Sequence, residues 1–214
     1  MFPLDRPARL AVFASGRGSN LDAIQNAYPA DLYLSSHALA HVAVVISDNA
    51  EAGALAKAKA ASIAAYHHPF PARKHDPDGA GRAAFESKVA EWLERHNIDL
   101  VCLAGFMRIL SEGFNERWRG RTLNIHPSLL PRFPGLHPQR QALAAGVNES
   151  GCTVHFVDAG VDTGPVVLQR KVPVLPEDTE ESLGQRILQA EHEAYPEAIK
   201  RVLTGVATFE EVMR

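Results

Sequence analysis

RLAVFASGRGSN, residues 9–20, is an apolar run that leads directly into a loop containing two glycines. An apolar run of this length is typical of a strand that is buried on both faces of a sheet. Residues 21–27 follow, with Leu21 and Ile24 spaced for one face of a helix. The chain therefore opens with a strand, a tight loop and a helix, which is the first unit of a doubly wound α/β fold.

The same alternation continues through the N-terminal half. Apolar, β-branched runs predict further strands at 41–46, 63–66 and 100–104, and helical spacing predicts helices at 51–61 and 82–96. The segment 69–81 is rich in proline and glycine, which predicts a surface loop. We therefore expect an α/β fold with a Rossmann-like N-terminal half of parallel strands.

The C-terminal half has a different pattern, with strands predicted at 122–125, 153–157 and 166–174, joined by loops rich in proline and glycine. The last two are expected to form an antiparallel extension, so the sheet continues as a mixed sheet. A short helix is predicted at 139–145 and a long one at 180–203. We predict one domain over 1–214, with a nucleotide- or phosphate-binding half at 1–108 and a catalytic half at 109–214.

Composition excludes several functional classes. The chain has 214 residues, 46% of them hydrophobic and 22% charged, and a formal net charge of −3, so it carries no basic footprint for nucleic acid. No apolar run reaches the length that spans a bilayer, and the acidic, proline-containing N-terminus is unlike a secretory signal. The two cysteines form no C-x-x-C pair. We therefore expect a cytoplasmic protein that binds neither membranes nor nucleic acid.

The block NIHPSLLPRFPG, residues 124–135, predicts a catalytic pair. Asn124 and His126 follow an apolar run, and residues i and i+2 of a strand point to the same face. An amide and an imidazole would therefore project together, in front of a loop stiffened by three prolines. Further along, His155 precedes a loop that carries Asp158 and Asp162. The loop can bring either carboxylate back toward the strand end that carries Asn124 and His126. Asp158 is more simply interpreted as the acid of a turn.

The glycine loop after the first strand suits an anion. Glycines allow the backbone to approach a ligand closely, and exposed amides at a helix start favour negative charge. A dinucleotide motif would have a third glycine where this chain has Leu21. Asp48 ends the second strand, where a ribose-binding acid would lie, so a nicotinamide site stays open. A phosphate monoester fits better, and a tight turn with a capped helix is the structural alternative.

Four separated segments, 15–20, 103–110, 124–135 and 155–165, together with the run LHPQRQAL at 136–143, resemble the phosphoribosylglycinamide formyltransferase family over essentially the whole chain. The resemblance implies transfer of a formyl group from 10-formyltetrahydrofolate to the amine of glycinamide ribonucleotide. It implies a formyltransferase fold, no metal and a monomer or homodimer. By the same resemblance, residues 1–108 hold the nucleotide and 109–214 carry catalysis and folate binding.

The resemblance also assigns site residues. Those matching the catalytic residues are Asn124, His126 and Asp162; those matching the phosphate and ribose site are Gly18, Ser19, Asn20 and Glu191; those matching the folate site are Arg82, Met107, Arg108, Ile109, Leu110 and Asn124. Leu188 stands where members such as the human enzyme have a phosphate-binding lysine.

Alternatives remain at this stage. Methionyl-tRNA formyltransferase shares the N-x-H and aspartate elements but normally adds a basic C-terminal domain. Formyltetrahydrofolate deformylase, a hydrolase, normally adds an N-terminal regulatory domain. A nicotinamide-dependent oxidoreductase or a non-catalytic nucleotide-binding module would depend on the glycine loop and Asp48, and would leave the block 124–135 unexplained.

Overall fold

A computed structural model describes residues 2–29, 38–71 and 75–213, so positions 72–74 of the predicted surface loop lie outside the described residues. The chain divides into two compact units. The first unit is Leu4–Thr122, and the second is Leu123–Arg214 together with Met1–Pro3. The assignment of one domain to 1–214, with halves meeting at 108 and 109, stays a prediction.

The first unit contains a parallel sheet. Within residues 4–29, 38–71 and 75–122, the strands are β1 (Ala8–Phe13), β2 (Ala40–Ser47), β3 (Ala64–His67) and β4 (Leu100–Leu103), in the order β3-β2-β1-β4. Each neighbouring pair in this order is parallel. The helices are α1 (Ser19–Ala27), α2 (Gly53–Ala60), α3 (Ala80–Arg95) and α4 (Glu112–Arg117). The Rossmann-like half is confirmed.

Helix α4 was not predicted, because six residues are too few to show helical periodicity. A specific cap stabilises it: the Ser111 hydroxyl accepts a hydrogen bond from the Phe114 amide at 3.1 Å. Glu86 on α3 in turn accepts the Ser111 amide at 2.6 Å and also binds the Ser111 hydroxyl. The helix therefore depends on a residue 25 positions away, which local sequence does not reveal.

The second unit is built on antiparallel strands. Strand β6 (Glu149–Phe156) pairs with both β5 (Thr122–His126) and β7 (Val166–Pro173), and the predicted antiparallel extension is confirmed. Strand β6 begins four residues earlier than the predicted start at 153, because Glu149–Gly151 pair with β7. A Cβ atom at Gly151 would lie 1.9 Å from the Arg170 carbonyl oxygen, so the glycine permits this close pairing.

The helices of this unit are α5 (Pro138–Ala144), α6 (Glu180–Leu203) and α7 (Phe209–Val212). Helix α6 has the predicted bounds and begins with a capping box between Thr179 and Ser182. Its buried Tyr195 donates a hydrogen bond to the Leu123 carbonyl on β5 at 3.0 Å. Burial of a large side chain of this kind contributes about 1.5–3 kcal/mol, and the hydrogen bond fixes where the helix packs on the strand.

Within residues 2–29, 38–71 and 75–213, the helices are all too short or too polar to cross a bilayer.

Candidate active site

Asn124 and His155 face each other across the β5–β6 pair. The antiparallel register places them directly opposite, and Asn124 Nδ2 lies 3.2 Å from His155 Nε2. His155 Nδ1 lies 2.8 Å from the Phe156 carbonyl oxygen, so Nδ1 carries the proton and donates to that oxygen. Nε2 lies within hydrogen-bond distance of the Asn124 amide and also faces Asp162. The sequence alone does not assign a role to His155, because its position opposite Asn124 depends on the register of the two strands.

Asp162 lies at the centre of the cluster. One carboxylate oxygen accepts the Gly135 amide at 2.8 Å and lies 3.2 Å from His126 Nδ1. The other lies 3.4 Å from Asn124 Nδ2 and 3.7 Å from His155 Nε2. The structure thus brings together the three predicted catalytic residues and adds His155. Asp162 has a φ of 55°, a left-handed conformation that aspartate tolerates better than most residues.

The electrostatic balance at Asp162 favours the carboxylate. Burial, the largest influence, raises its pKa, because the charged form is poorly solvated. The interaction with His155, the hydrogen bond from the Gly135 amide and the charge of His126 together outweigh burial, so the pKa falls below its usual value. Asp162 is therefore ionised at neutral pH.

His126 is held between two acceptors. Its Nδ1 faces Asp162, and its Nε2 lies 3.0 Å from the Phe133 carbonyl oxygen. A carbonyl and a carboxylate can only accept, so the doubly protonated imidazolium is the form that satisfies both contacts. The ring is 6% exposed, which makes an unpaired ring nitrogen costly. The cluster therefore places the buried imidazole of His126 against the partly buried carboxylate of Asp162.

A hydrogen-bond network holds the loop that follows β5. Thr153, which pairs with His126 in the sheet, donates to the Ser128 carbonyl at 2.6 Å and accepts the Leu130 amide at 3.1 Å. Gln169 on β7 donates to the Leu130 carbonyl at 2.8 Å and to the Thr153 hydroxyl at 2.9 Å. These contacts, with the prolines, fix the backbone behind His126 and support a preorganised site.

Asp158 has a different environment. Its Oδ1 accepts the Gly160 amide at 3.0 Å and the Thr163 hydroxyl at 2.7 Å. These are contacts within its own loop, and they shape the turn that carries Asp162. The simpler interpretation of Asp158, as the acid of a turn, is confirmed.

The glycine loop of the first unit has the features of an anion site. Gly18 is the N-cap residue of α1, and with no side chain it cannot cap the amides of the first turn. Its φ is 77°, and a Cβ atom would lie 2.8 Å from Ala54 Cα, so this position requires glycine. Ser19 and Asn20 are the first residues of α1. The start of a nine-residue helix thus presents amides to a ligand.

A cavity of about 700 Å³ lies in the same unit. Its lining includes Arg82, Met107, Arg108 and Ile109, together with Phe70 and Asp76. Met107 and Ile109 are 65% and 64% exposed, and such apolar surface suits a flat, partly aromatic ligand. The structure therefore brings four of the predicted folate residues to one cavity, whereas the Leu110 side chain is buried.

Asp48 does not have the environment of a ribose-binding acid. Its two carboxylate oxygens accept hydrogen bonds from the Ser15 hydroxyl and from Arg108 Nε, each at 2.6 Å. Its side chain is only 3% exposed. The acid on which a nicotinamide site would depend is thus engaged by the protein itself, which weakens that alternative.

Glu191 lies on the buried face of α6 and is 7% exposed. Burial, with a further contribution from the charge of Glu191, raises the pKa of the Cys152 thiol to about 12. Cys152 is therefore a buried, unreactive thiol and not a nucleophile. Leu188 lies one turn before Glu191 on the same helix.

Among residues 2–29, 38–71 and 75–213, no group of histidine, cysteine and acidic side chains could hold a metal ion.

Comparison with known proteins identifies the family of this chain. Residues 8–199 match the family described as formyl transferase. The chain is 43% identical over 196 residues to phosphoribosylglycinamide formyltransferase of Escherichia coli (strain K12), covering 92% of this chain and 87% of that one. It is 48% identical over 202 residues to the trifunctional purine biosynthetic protein adenosine-3 of Drosophila melanogaster, covering 94% of this chain. It spans only 14% of the length of that relative.

Solved structures give the same picture. The crystal structure of phosphoribosylglycinamide formyltransferase from Brucella melitensis has a TM-score of 0.82 and 44% identity, over 94% of this chain and 98% of that one. A formyltetrahydrofolate deformylase from Pseudomonas syringae is more distant, with a TM-score of 0.77 and 26% identity, over 96% of this chain and 62% of that one.

Proposed function

Because the chain belongs to the formyl transferase family, we propose that it transfers the formyl group of 10-formyltetrahydrofolate to the primary amine of 5-phosphoribosylglycinamide, a step of purine biosynthesis. The products are formylglycinamide ribonucleotide and tetrahydrofolate. The observation that carries the proposal is the cluster of Asn124, His126, Asp162 and His155, in which a partly buried carboxylate contacts a buried imidazole. The greater similarity to the transferases than to the deformylase also supports it.

The chemistry begins with attack of the neutral amine on the formyl carbon. Negative charge then develops on the formyl oxygen, and donors aimed at that oxygen lower the barrier. Asn124 and the imidazolium of His126 are the proposed donors. The Nε2–H group of His126 donates to the Phe133 carbonyl in this structure, so the formyl oxygen must share or replace that acceptor.

Asp162 is proposed to keep His126 protonated and to assist transfer of a proton from the attacking amine to the folate nitrogen that leaves. Its lowered pKa supports the first role, because the carboxylate remains charged when the imidazolium is needed. His155 is a positioning residue in this scheme, since its Nε2 holds the Asn124 amide. No covalent bond between protein and substrate is required.

The resemblance to the formyltransferase family assigns the residues that bind the ribonucleotide. The amides of Gly18, Ser19 and Asn20 are proposed to bind the ribonucleotide phosphate, and Glu191 its ribose hydroxyls. Leu188 offers no charge where related enzymes have lysine, so the phosphate depends more heavily on the loop amides.

The cavity lined by Arg82, Met107, Arg108 and Ile109 is proposed to bind the folate, with Arg82 facing its glutamate tail. Leu110 would then support the cavity from within the core.

The decisive assay follows release of tetrahydrofolate from 10-formyltetrahydrofolate, with and without glycinamide ribonucleotide. We expect release that depends on the ribonucleotide, together with formylated product by mass spectrometry. Release at an equal rate with water as the only acceptor would instead identify a deformylase. Absence of release under both conditions would contradict both activities.

A further inference from the structure

Asp48 is a buried acid of the first unit that the proposed chemistry does not use. Its Oδ1 accepts the Ser15 hydroxyl and its Oδ2 accepts Arg108 Nε, and both distances are 2.6 Å. The carboxylate side chain is 3% exposed, whereas Arg108 is 35% exposed and lies over the Phe70 ring at 5.5 Å. A single carboxylate is thus buried with one cationic partner.

The two partners of Asp48 belong to two different proposed binding segments. Ser15 opens the glycine loop, and Arg108 lies in the segment proposed to bind folate. Ser15 also accepts the Met107 amide at its hydroxyl, at 3.0 Å, and donates its own amide to the Gly105 carbonyl at 3.1 Å. Asp48 therefore contacts both Ser15, the first residue of the glycine loop, and Arg108 of the segment proposed to bind folate.

The position of Asp48 creates an electrostatic problem for the loop. Asp48 binds Ser15, three residues before Gly18, so its buried negative charge opposes the binding of a phosphate at the glycine loop, because low-dielectric surroundings screen it poorly. The guanidinium of Arg108 compensates for that charge at 2.6 Å. If Arg108 lost its charge, the carboxylate that binds the first residue of the glycine loop would lose its cationic partner.

We propose that Arg108 is a positioning residue for the ribonucleotide as well as a folate-binding residue. As the counter-ion of Asp48, it sets the affinity of the glycine loop for phosphate. This inference rests on the proposed function, because it takes the glycine loop as the phosphate site. It predicts that removing the charge of Arg108 and removing the charge of Asp48 have different effects on the affinity for the ribonucleotide.

The test measures the dissociation constant of glycinamide ribonucleotide by calorimetry, without folate. R108Q should bind about tenfold more weakly, since one uncompensated charge near an anion has an effect of that order. D48N should bind at least as tightly as the unmodified chain, and the double variant D48N/R108Q should return to within about threefold of it. R108K keeps the charge and should bind nearly normally.

R117Q is the matched control. Arg117 pairs with Glu94 on the same unit, but the side chains are 56% and 65% exposed, so loss of that cation should not change ribonucleotide binding. Thermal unfolding of every variant reports folding. If R108Q alone is unfolded, the affinities of the double variant and of R108K for the ribonucleotide still test the inference.

Four results would overturn the inference. Unchanged binding by R108Q would remove the role of the cation. A double variant as weak as R108Q would mean that Arg108 contacts the phosphate directly. A D48N variant as weak as R108Q would mean that the pair is only structural. An unmodified chain that binds no ribonucleotide would overturn the proposed function itself, and with it this inference, so the two failures are distinguishable.

Discussion

Replacement of Asp162 by asparagine removes the charge at the centre of the cluster while preserving its shape. The carboxylate lies 3.2 Å from His126 Nδ1 and accepts the Gly135 amide at 2.8 Å. An asparagine oxygen can still accept from Gly135, so the loop should keep its course. What disappears is the negative charge that stabilises the imidazolium.

The interaction energy that D162N loses can be calculated from the distance between the carboxylate and the imidazole. Two unit charges at 3.2 Å attract by about 5 kcal/mol at an effective dielectric of about 20, and by about 1.3 kcal/mol in water. The Asp162 side chain is 11% exposed, which favours an intermediate value of about 2–4 kcal/mol. In D162N the imidazolium of His126 should therefore lose this stabilisation, which weakens its donation to the formyl oxygen. Loss of one such donor slows turnover on the order of a hundred- to a thousandfold.

The assay is the pH dependence of turnover for D162N and for the control D158N. The unmodified chain should give a bell-shaped profile whose two limbs belong to the coupled pair. D162N should be severely slowed, with its residual activity shifted to more acidic pH, where the imidazole regains its proton. D158N keeps the Oδ1 acceptor of its turn and should remain within about twofold of the unmodified chain. A crippled D158N beside an active D162N would refute the assignment.

Three further predictions follow from the same contacts. Asn124→Ala and His126→Ala should each lower kcat on the order of a hundredfold or more with the fold retained by circular dichroism, and near-normal turnover of either would remove its oxyanion role. Gly18→Val would place a side chain against the neighbouring helix at a φ of 77°, so the KM for the ribonucleotide should rise far more than that for folate; equal losses would indicate general misfolding. The guanidinium of Arg186 holds the pKa of Asp178 below its usual range, so the pair stabilises the fold above the unfolded pKa of about 3.9 and loses that stability as pH falls through the folded pKa. Asp178→Asn should therefore flatten the acid side of a plot of Tm against pH, and an unchanged acid limb would contradict this contribution.

Much of the fold was predictable from short-range patterns. The strand, loop and helix at 9–27 and the long helix at 180–203 have strong periodicity, and the structure has both. Elements stabilised by distant partners were not predictable. Helix α4 depends on Glu86, and the start of β6 depends on the close approach of β7 to Gly151. These contacts exist only once the chain has folded, so no local window contains them.

The same distinction applies to the site. The i, i+2 spacing of Asn124 and His126 predicted a pair on one strand, and the structure engages both residues in one cluster. The place of His155 required the register of an antiparallel pair, which depends on both strands at once. The residue pattern alone also did not decide whether Asp158 or Asp162 returns to the site, because a loop has no periodicity from which a side-chain direction can be inferred.

Asp48 and Asp162 show what separates an acid proposed to hold its surroundings in place from one proposed to assist proton transfer. Both have two oxygens with close partners, so the number of contacts does not distinguish them. Asp48 is neutralised by a guanidinium, which keeps its charge at every pH of interest, and the pair therefore holds one electrostatic state. Asp162 instead faces the imidazoles of His126 and His155, and histidine is the side-chain type best suited to proton exchange under physiological conditions. A carboxylate paired with a permanent cation can only hold its surroundings in place, whereas a carboxylate paired with imidazoles can favour or release a proton as the reaction requires.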